Sequence, residues 1–232
     1  MASAADGAEP SQDENAGGNT NDSEVLNPDM RRPGRGSTRR MEALSDAVFA
    51  IVMTLIVLEV HVPTGPPSKL PEQFLEATPT LLTYALTFIT VGVLWFGNRT
   101  QSELLIAADH PLVWLNLLFL GLVALIPFSS ALLARNPTTS FAVVEYGAHL
   151  TAASLAHALC WVYASHRPEL IRVGISHRYL RFSRAATFLL AAFYAVGVAI
   201  GAAFPIVGLI VFLAAPIPFI SGLYYRQLAR HR

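Results

Sequence analysis

Beyond residue 38 the chain is a succession of long apolar runs parted by short polar ones. The first covers about residues 41–60, the second is free of charge from 77 to 98, the third from 110 to 134, and the fourth runs from 146 to 166. From 185 to 225 there is no charged residue at all. A single helix of that length would extend roughly 60 Å, twice the hydrocarbon thickness of a bilayer. Gly201 and Pro205 sit near its middle, so two helices joined by a tight turn near 201–206 are expected. The pattern predicts an all-α, polytopic membrane protein with six transmembrane helices. The stretch 61–71 (HVPTGPPSKLP) is short and proline-rich and reads as a stiff outside connection.

Composition supports the membrane reading. Of 232 residues 53% are hydrophobic and 14% charged, where soluble domains carry about a quarter charged, and mean hydropathy is +0.45. The formal net charge is zero, so nothing points to nucleic acid. Residues 1–38 are rich in Gly, Ser, Asn, Asp, Glu and Pro and cannot bury enough apolar surface to offset chain entropy; they read as a disordered tail. Basic residues orient the spans. With a cytoplasmic amino terminus, fourteen of the sixteen fall inside, in the tail, in 99–109, in 167–184 and at the chain end; only Lys69 and Arg135 fall outside. Six spans then leave both termini cytoplasmic. Residues 1–38 are the first cytoplasmic tail, 39–226 the six-helix domain, and 227–232 a short second tail. The lone Cys160 lies in an apolar run and reads as a buried small hydrophobe.

The first span, RRMEALSDAVFAIVMTLIVLEV from residue 39 to 60, is the most polar. At 100° per residue, Ala47, Ile51, Thr54, Leu55 and Leu58 form one stripe, and Ser45 and Asp46 lie opposite. A carboxylate in a membrane needs a partner or a watery cavity. Asp46 sits at the helix start, where the macrodipole favours negative charge, and Ser45 can bond to a neighbouring helix. Both read as helix-to-helix anchors, with a direct role in ion binding as the alternative. Arg40 is an interfacial anchor or a partner for Asp46. By pattern alone the apolar stripe is packing or lipid-facing surface.

These residues also resemble a known pattern. Arg40, Leu44, Ser45 and Asp46, then Ala47 to Ile51, Thr54, Leu55, Leu58 and Glu59, match R-x-x-x-(F/L)-S-D followed by A-V-F-A-I-x-x-T-L-x-x-L-E. That is the first helix of the endosomal/lysosomal potassium channel family of the transmembrane protein 175 type. VGVLWFGNRT is similar to the end of the family's second helix, and HPLVWLNLLFLGLVALIPFSSALL, with Asn116, Pro127 and Phe128, to its third. The resemblance covers roughly 40–135. Two positions depart from it: Leu44 stands where the family has Phe, and Asn98 where W-x-x-H would place a histidine after Trp95. Asn98 can donate and accept hydrogen bonds but carries no charge.

The resemblance implies a potassium-selective channel, a homotetramer of single six-helix chains whose first helices line a central pore, in the plasma membrane. Ile51, Leu55 and Leu58 would be hydrophobic constriction layers and Thr54 a polar layer. Arg40, Ser45, Asp46, Trp95 and Asn98 would anchor the conducting helix. Potassium is the permeant ion, and no cofactor, metal or enzymatic activity is expected. The chain has no T-V-G-Y-G loop, so a carbonyl-ring filter is ruled out; a leucine or isoleucine ring can gate by dewetting. The alternative is a proton- or ion-coupled secondary transporter built on the fourth span. There His149 and His157 lie two turns apart, with Glu145 one turn before His149. Cys160 with His157 has no third orienting group for nucleophilic catalysis.

Overall fold

The computed structural model describes residues 35–60, 62 and 64–220. Its elements are helical: α1 (Arg35–Leu55) continued by a 3-10 turn (Ile56–Glu59), a 3-10 turn (Pro67–Lys69) leading into α2 (Leu70–Glu76), α3 (Thr78–Ser102), α4 (His110–Arg135), α5 (Ser140–Ser165), α6 (His177–Ala203), α7 (Pro205–Ala214) and α8 (Ile217–Ile220). Among the described residues, four stretches are long and apolar enough to cross a membrane: Thr38–Leu58, Thr78–Ser102, His110–Arg135 and His177–Ala203. α5 matches them in length at 26 residues but carries Glu145, His149 and His157 within its run.

Helix ends follow local chemistry. Asp109 caps α4 by accepting from the Leu112 amide at 3.1 Å, and Ser176 caps α6 from Tyr179 at 3.2 Å. Pro79, Pro111 and Pro205 sit in the first turns of α3, α4 and α7, where a missing N–H costs nothing. The expected break in the long apolar run is present: α6 ends at Ala203 and α7 begins at Pro205. Gly201 and Gly208 bring the backbones of the two helices together there; a Cβ on Gly208 would stand 2.7 Å from the Gly201 Cα.

Several boundaries differ from the sequence reading. α1 begins at Arg35, inside the stretch read as tail; the rest of that tail, 1–34, lies outside the described residues, as does the segment 221–232 with its arginines. α6 starts at His177, so Arg178, Arg181 and Arg184, read as loop, occupy its first turns. The Ser176 cap sets that start, and hydropathy does not register caps. The last apolar run breaks again at Ala215–Pro216, because proline lacks the helical donor and disfavours helix in the residue before it.

α5 packs chiefly on α6 and α4, and α1 packs on α4 and α3. Aromatic side chains meet within a mostly aliphatic core. Phe119 lies 5.9 Å from Phe49, and Phe212 contacts Tyr146 at 5.9 Å and Tyr194 at 6.2 Å. The α3–α4 and α5–α6 loops meet at one end of the bundle. Ile106 donates to the Leu170 carbonyl and Arg172 to that of Leu104, both at 2.9 Å. The Tyr163 hydroxyl donates to Asp109 at 2.6 Å, and Arg167 pairs with the same carboxylate at 3.6 Å. The two internal loops read as arginine-bearing and cytoplasmic therefore share one end of the bundle.

Candidate functional site

α1 divides cleanly into two faces. Met41, Ser45, Phe49, Val52 and Ile56 recur every three or four residues and are buried against α3 and α4. On the other side Ile51 is 58% exposed, Leu55 42% and Leu58 71%. Thr54 is also exposed, and its hydroxyl donates to the Ile51 carbonyl at 2.8 Å. The stripe picked out at helical spacing is thus an unpartnered apolar face of the single chain. The Glu59 side chain lies outside the described residues.

Two interhelical contacts fix the rotation of α1. Ser45 uses its hydroxyl twice: it donates to the Met41 carbonyl at 2.9 Å and accepts from the Asn116 amide of α4 at 3.2 Å, both buried. The next residue, Asp46, is exposed and accepts from the Trp95 indole N–H of α3 at 2.8 Å. One dipeptide therefore ties α1 to two helices, and Asp46 takes an indole rather than Arg40, which is exposed. Arg99 lies over the Trp95 ring at 5.6 Å. Asn98 is buried and lines a small cavity of about 20 Å³ with Met41, Ser102, Asn116 and Trp161, roughly the room of one water molecule. Asn116 is the anchor whose role the sequence reading left unstated; its mark is a lone amide within a charge-free apolar run. Ser45→Ala should leave the buried Asn116 amide without its acceptor and cost about 1–3 kcal/mol. The measurement is the thermal midpoint of the purified protein, which should fall, while Leu58→Ala on the exposed face should leave it near wild type.

The fourth-span group splits in two. Glu145 and His149 meet at Ser129 of α4. His157 is elsewhere, stacked on Phe119 with ring centroids 5.0 Å apart and buried beside Gly97.

Comparison with known proteins places the chain in a family. Residues 40–127, which include Ser45, Asp46, Trp95, Asn116 and the stripe, match the family model described as endosomal/lysosomal potassium channel TMEM175. A potassium channel of Chamaesiphon minutus is 31% identical over 148 residues, covering 61% of this chain and 73% of the relative. The chain belongs to the TMEM175 family. A potassium channel of Streptomyces collinus is 30% identical over 136 residues, 56% of this chain and 66% of the relative. The crystal structure of a lysosomal potassium-selective channel TMEM175 homologue from Chamaesiphon minutus superposes with a TM-score of 0.71 at 26% identity. The match covers 80% of this chain and 97% of that one. The likeness of fold therefore extends well beyond the residues that carry the TMEM175 sequence pattern.

Proposed function

We propose that the protein is a potassium channel of the plasma membrane, in which the exposed face of α1 lines the ion path. The observation that carries the reading is that face: large apolar side chains at helical spacing, held outward by the Ser45–Asn116 and Asp46–Trp95 bonds on the opposite side. The potassium-channel names of the bacterial relatives supply the permeant ion.

The assembly is a homotetramer with α1 of each chain around the axis, which covers Ile51, Leu55 and Leu58. α7 and α8 belong to the sixth span, α5 is the fourth, and both termini are cytoplasmic. The isoleucine and leucine rings form a constriction that empties of water when narrow and passes a partly hydrated cation when wider. Thr54 hydroxyls offer oxygen between those rings. The anchors act on conduction indirectly, by setting which side of α1 faces the axis.

Cysteine accessibility tests the placement. Leu55→Cys introduced beside the buried native Cys160 should make potassium flux in liposomes sensitive to a water-soluble thiol reagent. Val52→Cys on the buried face should leave flux insensitive. Block through position 52 and none through 55 would put the wrong face on the path.

A further inference from the structure

We propose that Glu145, Ser129 and His149 form a proton-binding triad between α4 and α5, holding one proton shared by the carboxyl and the imidazole. The row of hydrogen bonds needs more hydrogens than the residues supply without an added proton. The Ser129 hydroxyl contacts Glu145 Oε1 at 3.1 Å and His149 Nδ1 on its other side, and His149 Nε2 meets the Leu122 carbonyl at 2.9 Å. These are three links in a row, and each needs one hydrogen. A carbonyl only accepts, so Nε2 carries a hydrogen. Serine supplies one more. A carboxylate supplies none, and a neutral imidazole has only the one already used. The third link exists only if the group has bound an additional proton.

Two arrangements satisfy the count. In one, the Glu145 acid donates to Ser129 and Ser129 donates to a neutral His149. In the other, an imidazolium donates to Ser129 and Ser129 donates to a carboxylate. They interconvert by shifting two hydrogens along the row, with no net gain or loss of protons. With one proton fewer, two acceptors must face each other somewhere in the chain, and the α4–α5 contact loses a hydrogen bond. The second oxygen of Glu145 points to where the proton rests. Among the described residues Glu145 Oε2 is buried without a partner. A neutral acid tolerates such an orphan far better than a carboxylate does. A metal ion is disfavoured, because both imidazole nitrogens are already engaged.

Other titratable groups on the packed helices have separate partners or positions. On α1 Asp46 bonds Trp95, on α3 Arg99 pairs with Glu103, and on α6 Arg184 bonds His166. Tyr146 of α5 bonds Thr87. Arg135 closes α4 beyond Ser129, Tyr194 of α6 is buried against Phe212, and the α7 sequence has no titratable residue.

At neutral pH a free glutamate and a free histidine together hold less than one extra proton. Glu145→Gln is the informative variant, since its amide N–H permanently replaces the acid hydrogen and keeps all three links. The experiment uses the full chain in lipid nanodiscs. Infrared spectra of wild type minus Glu145→Gln should show one protonated carboxylic acid per chain at neutral pH. Alternatively, nitrogen spectra of wild type minus His149→Gln should show a doubly protonated ring; either places the extra proton in the triad. A carboxylate together with a singly protonated His149 in the folded wild type at neutral pH would overturn the proposal, and it needs no variant to fold.

Discussion

Ile51→Asn should raise single-channel conductance about tenfold and bring potassium and sodium permeability close together. Of the three apolar positions on the exposed stripe, this residue is the nearest in sequence to Ser45 and Asp46, which fix the helix. A ring of isoleucines repels water, and an ion crossing it gives up part of its hydration. An amide ring accepts and donates hydrogen bonds, so water remains in the constriction. Lowering the barrier by about 1.4 kcal/mol is worth a factor of about ten in rate. Any preference that depends on partial dehydration weakens with it. Single-channel recording in planar bilayers measures both quantities. Unchanged conductance and selectivity in a well-folded variant would remove Ile51 from the path. Since Ile51 makes no core contact that the substitution deletes, folding should be little affected.

The second large effect concerns the fold. Gly208→Val should abolish the α6–α7 hairpin and leave little folded protein. A Cβ there would lie 2.7 Å from the Gly201 Cα, 3.0 Å from the Gly197 carbonyl oxygen and 3.1 Å from the Gly201 nitrogen. All three are backbone atoms, which cannot swing aside as a flexible side chain can. Overpacking a core typically costs about 1–3 kcal/mol, and here a whole helix must shift to relieve it. Moving α7 would also withdraw Phe212 from the bay formed by Gly147 and Gly197, where a methyl group on either glycine would meet its ring. Gly121→Ala is the control, because a Cβ at that position meets nothing within 4 Å; its effect should stay within about 1 kcal/mol. Size-exclusion profiles and thermal midpoints in detergent separate the two. A monodisperse Gly208→Val protein melting with the wild type would contradict the close glycine contact.

Much of this was legible in the residues. Apolar runs located the long helices, and Gly201 with Pro205 located the break between α6 and α7. The helical period separated Ser45 from the stripe of Ile51, Thr54, Leu55 and Leu58, because burial on one side of α1 follows directly from that period. Partners on other helices were harder to see. Asn116 meets Ser45 across 71 positions of sequence, and no local pattern encodes such a meeting. Glu145 and His149 are one helical turn apart and could be paired by eye, yet the serine that joins them comes from the antiparallel neighbour. His157 seemed to belong with His149. Eight residues at 100° each leave it about 80° round the helix, enough to turn it toward Phe119 instead. Helix starts governed by a cap, as at Ser176, escape a reading based on hydropathy because the capping serine is itself polar.

The most direct measurement of the central claim is the reversal potential of the purified wild-type protein in a planar bilayer, with potassium on one side and sodium on the other. The account expects steady single-channel currents that reverse near the potassium equilibrium potential, with the shift lost in Ile51→Asn. Folded protein that passes no current, or current that reverses midway between the two ions, would contradict it.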